Sequence, residues 1–112
     1  MAEDCIFCKI IKGDIPSAKV YEDDKMIAIN DVAPAAPVHV LLMPKDHTAN
    51  ITTAAPELVA YMLGKVKMIA EKTGIAEKGF RVVINTGDEG GQTVKHLHIH
   101  VIGGKALGWP PC

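Results

Sequence analysis

The chain has almost no charge imbalance: 12 Lys and Arg against 13 Asp and Glu leave a formal −1. That balance gives no electrostatic reason to expect duplex nucleic acid or an anionic membrane as partner, and favours a small ligand. It also lacks a long apolar run. The longest such stretch, 32–43, is interrupted by Pro34, Pro37 and His39 and is too short to span a bilayer. There is no even set of cysteines: three, in a chain whose start, Met1-Ala2-Glu3-Asp4, is acidic and leads into no apolar signal region, argue against a disulfide framework. The expectation is a cytoplasmic protein with free thiols or metal-ligating cysteines. Internal repeats, low-complexity tracts and linkers are absent too, so 112 residues at 48% hydrophobic content read as one domain, 1–112.

What is present alternates short elements with clear punctuation. Asp4 is the expected cap of a short helix through Ile6, Phe7, Ile10 and Ile11, which Gly13 closes and Pro16 prevents from continuing. Strands are expected at 18–22 and 26–30, joined as a hairpin through Asp23-Asp24-Lys25, and a largely buried strand at 38–43. Between Pro56 and Thr73, apolar residues at helical spacing predict one long helix, with Gly74 as its stop. Apolar runs at 80–85 and 94–102 flank a Gly-rich connection, 86–93, and read as a second hairpin. The fold class is α+β, with an antiparallel sheet of about five strands and one long and one short helix.

The last strand carries the chemistry. On a period-two strand His96, His98 and His100 share one face, ~6–7 Å apart in succession, while Leu97, Ile99 and Val101 line the other. An imidazole near neutral pH offers a free nitrogen that can act as nucleophile, base or metal ligand. Immediately upstream, Gly87-Asp88-Glu89-Gly90-Gly91-Gln92-Thr93 presents unobstructed backbone N–H groups suited to an anion, with the Thr93 hydroxyl nearest the histidines. Cys5-x-x-Cys8 can be a redox motif, half a zinc site or two buried thiols; opening the chain rather than following a strand weakens the redox reading.

Gly91-Gln92-Thr93-Val94-Lys95-His96-Leu97-His98-Ile99-His100-Val101-Ile102 resembles the His-φ-His-φ-His-φ-φ signature of the histidine triad (HIT) superfamily. The likeness extends to Cys5–Ile11, Ile15-Pro16, 21–24, 37–41, 44–47, 83–85 and the closing Gly108-Trp109-Pro110-Pro111, which resembles the Hint branch of nucleotide-binding proteins. The resemblance implies a HIT-like fold and a homodimer that hydrolyses purine nucleoside phosphoramidates. His98 would attack the α-phosphorus and form a nucleotidyl-imidazole intermediate, a backbone carbonyl near His100 fixing its tautomer. His100 would bind the phosphate, Asn85 and Thr93 would donate to the phosphate oxygens and the leaving group, and His39 would support the triad.

The resemblance further implies that Asp31 takes the ribose hydroxyls, that Gly91 and Gln92 belong to the nucleotide loop, and that Ile6, Phe7, Ile10, Ile29 and Val32 wall the base, plain core being the alternative for each wall residue. Ile29 stands where animal members often have an aromatic residue, and Thr93 where Ser is frequent, which leaves adenine against guanine open. In some bacterial members and in related uridylyltransferases, a cysteine pair joins a downstream histidine and the first triad histidine around structural zinc. By position these are Cys5, Cys8, His47 and His96. Cys112 reads as a free thiol with no role. A dinucleoside polyphosphate hydrolase or nucleotidyl transferase would use the same nucleophile on another leaving group, and a zinc-stabilised nucleotide sensor or interaction module is the reading from outside enzymology.

Overall fold

The computed structural model describes residues 4–111; Cys112 lies outside the described residues. Five strands, β1 (Lys19–Glu22), β2 (Met26–Asn30), β3 (Val38–Pro44), β4 (Phe80–Val83) and β5 (Ile99–Gly103), form one antiparallel sheet in the order β1-β2-β3-β5-β4. Three helical segments accompany it: α1 (Ile6–Lys12), α2 (Pro56–Leu63) and α3 (Val66–Lys72). None is long and apolar enough to cross a membrane.

The α+β expectation holds, and both expected hairpins are antiparallel neighbours. Three boundaries differ for local reasons, and β4 also ends at Val83 instead of residue 85. The cap of α1 is Cys5, whose sulfur accepts the Cys8 N–H at 3.4 Å, rather than Asp4. The long helix bends: a turn at Gly64-Lys65 separates α2 from α3, while Met62, Val66 and Ile69 all enter one core cluster, so the apolar spacing runs through the break. The last strand starts at Ile99 instead of residue 94, because β3 pairs with it only from Leu42 and β4 only from Val83. At its other end α1 closes as expected. Gly13, at φ 89°, donates to the Ile10 carbonyl while Asp14 donates to that of Lys9, the paired bonds of a left-handed helix terminus.

Period two divides the sheet into two faces. Val40, Leu42, Leu97, Ile99 and Val101 pack with Met62, Val66, Ile69 and Ala70 of the bent helix. Leu41 and Met43 of β3, with Ile27 and Ile29 of β2, pack instead on Phe7 and Ile10 of α1. Because α1 is only seven residues long, it covers the β2–β3 side of this second face. His39, Arg81, Val83, His100 and Ile102 are left to line an open cleft beyond it.

Asp23 ties the first hairpin to α2. Burial alone would raise its pKa, but the hydroxyls of Tyr61 and Tyr21 and the backbone N–H groups of Lys25 and Met26 donate to it and hold the carboxyl well below the usual carboxylate range. A folded-state pKa depressed below the unfolded ~4 contributes stability that is present above that pH and is lost as the pH falls through it. In urea denaturation, Asp23→Asn should therefore flatten the loss of stability below about pH 4; equal acid slopes in the two proteins would contradict the role given to Asp23.

Candidate functional site

Only His100 of the three histidines lies on a strand. The chain bends over 94–96, and the Leu97 N–H leaves the ladder to donate to the Thr48 carbonyl at 2.7 Å. That departure separates the three rings. His96 turns towards α1 and the end of β3, whereas the rings of His98 and His100 stay together with centroids 5.0 Å apart.

The hydrogen bonds assign the protons. His98, 6% exposed, directs Nδ1 at the His96 carbonyl oxygen, 2.7 Å away. A carbonyl can only accept, so Nδ1 carries the proton and Nε2 keeps its lone pair. The accepting carbonyl is thus that of His96, two residues upstream, and not one near His100. His39 is fixed from the loop before β3: the Ala35 N–H donates to its Nδ1 at 3.0 Å, which leaves the proton on Nε2. That N–H donates to His100 Nδ1 at 2.8 Å, with the Asp31 carboxylate 3.4 Å from the same nitrogen. His100 in turn holds its proton on Nε2. Burial, then the neighbouring His98 and His39, push His100 down to about 4, against a smaller opposing pull from Asp31. At neutral pH it is an uncharged donor.

The cleft beside this pair encloses about 320 Å³ and is lined by His39, His100, Asn85, Arg81, Ala35 and Leu107, among others. Asn85 donates to the Gly90 carbonyl at 2.8 Å, bracing the Gly-rich loop. Gln92 is buried under that loop: its oxygen accepts the Gly87 N–H, and its nitrogen donates to the Ala49 and Val94 carbonyls. Gly91 makes the turn at φ 77°, in the left-handed region, and Thr93 stands exposed at the loop's end. Of the expected base wall, Phe7, Ile10 and Ile29 come together in one cluster, whereas Ile6 is partly exposed and Val32 stands in solvent.

Sequence reading missed Arg81 as a lining residue. Only the strand register reveals it: Arg81 pairs with Ile102 and Val83 with His100, and period two then places both on the histidine face. Ala35 had no signal, because its contribution is a backbone N–H.

A second group gathers at the start of α1. Donor atoms of Cys5, Cys8, His47 and His96 all lie within 4.8 Å of one another. The individual spacings are 3.4 Å for Cys5 Sγ to His96 Nδ1, 3.6 Å for Cys8 Sγ to the same nitrogen, 3.3 Å for Cys8 Sγ to His47 Nδ1, and 3.1 Å between the two Nδ1 atoms. Tetrahedral zinc, with bonds of ~2.3 Å to sulfur and ~2.0–2.1 Å to nitrogen, would space sulfur and nitrogen ~3.6 Å apart and two nitrogens ~3.3 Å. The donor set fits such an ion in both spacing and softness. Buried His96 is oriented for the task, since its Nε2–H donates to the Pro44 carbonyl at 2.8 Å and leaves the Nδ1 lone pair facing the sulfurs. Burial lowers the His96 pKa, and burial followed by the Cys5 sulfur raises that of Cys8, so metal binding would proceed with release of thiol protons.

The sequence pattern of the HIT domain matches residues 12–107, and the chain belongs to the HIT domain family. The 14 kDa zinc-binding protein of Brassica juncea is 45% identical, the match covering 96% of this chain and 99% of that protein. The adenylylsulfatase HINT1 of Arabidopsis thaliana is also 45% identical, over 95% of this chain and 75% of its own length. Among solved structures, a HIT family hydrolase from Legionella pneumophila superposes with a TM-score of 0.92 at 42% identity, covering 96% of this chain and 99% of its own.

The proton arrangement around His100 is testable by histidine NMR. Its imidazole should remain neutral on lowering the pH until about 4. Because a folded pKa below the unfolded ~6.5 means that the unfolded chain takes up the proton first, its contribution to stability should be present above pH ~6.5 and decline towards pH 4. A His100 titration midpoint near 6.5 would contradict the packing described.

Proposed function

We propose that this HIT family member is a nucleotide-binding hydrolase that cleaves the P–N bond of purine nucleoside 5′-phosphoramidates through a covalent nucleotidyl intermediate on His98. The observation that carries this reading is the 2.7 Å bond from His98 Nδ1–H to the His96 carbonyl, which leaves Nε2 as the nucleophilic lone pair. In the first step a bond forms from Nε2 to the α-phosphorus as the P–N bond breaks, and the leaving nitrogen takes up a proton and departs as the amine. The positive charge that develops on the ring is shared with the His96 carbonyl through Nδ1–H. In the second step water attacks phosphorus, loses a proton, and releases the nucleoside monophosphate and neutral His98.

His100 acts here as a neutral donor, its Nε2–H meeting a non-bridging oxygen while His39 holds its other nitrogen. Asn85 and Thr93 supply further donors at the phosphate and the leaving group, each worth a few kcal/mol when preorganised. Asp31, just after the end of β2, takes the ribose hydroxyls, and the loop of Gly91 and Gln92 frames the phosphate. The base lies against Phe7, Ile10 and Ile29, with Ile6 and Val32 at the rim. Structural zinc on Cys5, Cys8, His47 and His96 anchors α1, and the zinc-binding relative supports that assignment. The chain works as a cytoplasmic, single-domain protein that pairs as a homodimer; the edge of β4, unpaired among the described residues and with Phe80 and Val82 part-exposed, supports the pairing.

One relative is named as an adenylylsulfatase, a name that points to a leaving group other than the amine proposed here, so substrates should be compared side by side. On adenosine 5′-phosphoramidate, His98→Ala should lower kcat by roughly a thousandfold or more. Equal turnover by the two proteins rejects the reading. Faster wild-type hydrolysis of adenylyl sulfate or a dinucleoside polyphosphate would keep the nucleophile and replace the substrate.

A further inference from the structure

The two histidine groups share one residue. The His96 side chain faces Cys5, Cys8 and His47, while its main-chain carbonyl accepts the proton of His98. We propose that the metal centre positions the nucleophile, with His96 as the positioning residue that joins them; this rests on the reading of His98 as the nucleophile.

The segment that presents His98 is not held by the sheet. Ladder pairing of β5 begins only at Ile99 on the β3 side and at His100 on the β4 side. Apart from the Leu97 side chain, which is buried under the bent helix, residues 96–98 are secured at points that lead back to the four metal-site residues. The His96 ring is one, with Nε2 on the Pro44 carbonyl and Nδ1 among the sulfurs. The Leu97 N–H is a second, bonded to the carbonyl of Thr48, the residue after His47. Phe7 is the third. It lies between Cys5 and Cys8 on α1, and its ring meets those of both His96 and His98 in T-shaped contacts, with centroids 5.9 and 4.9 Å apart.

A zinc ion on the four donors replaces weak thiol–imidazole contacts with directional bonds, and fixes the His96 ring against α1 and against residue 47 together. The His96 peptide is then held in the orientation that points its carbonyl at His98 Nδ1. Without the ion, the ring can shift relative to the two sulfurs. The carbonyl moves with it, and His98 is free to place its proton on either nitrogen. The part of the population with the proton on Nε2 cannot attack phosphorus.

The experiment uses the full chain, 15N-labelled, in three forms: loaded with one zinc per chain, stripped by a chelator, and reloaded with cadmium. Long-range 1H–15N imidazole spectra read the His98 tautomer, and β3 and β5 amide resonances report whether the stripped form stays folded. In the zinc form His98 should be a single tautomer with the proton on Nδ1. In the folded stripped form it should become a mixture, kcat should fall roughly tenfold or more, and added zinc should restore both. A folded stripped form that keeps the Nδ1–H tautomer, with kcat within about twofold of the zinc form, overturns the proposal, as does a chain that takes up neither metal. If stripping unfolds the chain, the cadmium form decides. The larger ion must displace His96, so the His98 Nδ1 resonance and kcat should both differ from the zinc form, and identical values overturn the link. Absence of hydrolysis in the zinc form would reject the hydrolase reading alone, because the tautomer comparison does not depend on turnover.

Discussion

A hydrogen bond 2.7 Å long, from His98 Nδ1 to the His96 carbonyl, determines which nitrogen of His98 carries its proton. A carbonyl cannot donate, so this single contact removes the tautomeric choice that an imidazole otherwise keeps. Its geometry requires the chain to turn before the last strand begins. Had residues 94–98 continued the ladder, strict alternation would have spaced the three rings evenly, at ~6–7 Å, on one sheet face. The bend over 94–96 instead sends His96 to the cysteines and leaves the His98 and His100 rings 5.0 Å apart.

The remaining architecture supplies supports for that bend. The bent helix buries the Leu97, Ile99 and Val101 side of the segment, and the short α1 takes part of the opposite face, carrying Phe7 against His98 and the cysteine pair against His96. Its seven residues stop short of β5 and β4, which leaves His39 and His100 at a cleft rather than in a core. A second relay of fixed protons, from the Ala35 N–H through His39 to His100, turns the third histidine into a neutral donor beside the second. His98 is thus set directly by a carbonyl, and His100 through His39 by an amide N–H.

Much of this was legible in the residues. Alternation of Leu97, Ile99 and Val101 with the histidines correctly separated core from site, Gly13 marked the end of α1, and Cys5, Cys8, His47 and His96, far apart in the chain, do converge in space. What escaped depends on geometry that side-chain types do not encode. Met62, Val66 and Ile69 keep a helical rhythm across Gly64, so the turn there is silent in the apolar pattern. The apolar run 94–102 reads as one strand because nothing in it says where its neighbours end. Cys5 displaced Asp4 as the cap through a sulfur acceptor, an atom seldom expected in that place. The contribution of Ala35 is purely backbone, and that of Arg81 required the β4–β5 register.

Hydrolysis through His98 requires a bond from Nε2 to phosphorus, and that bond can be observed directly. The protein is mixed with adenosine 5′-phosphoramidate, quenched within the first turnover, and analysed by intact-mass and peptide mass spectrometry under conditions that preserve phosphoimidazoles. One nucleotidyl adduct per chain is expected, located on His98 and appearing at least as fast as product. Turnover with no adduct at any quench time, or an adduct on another residue, would contradict hydrolysis through His98.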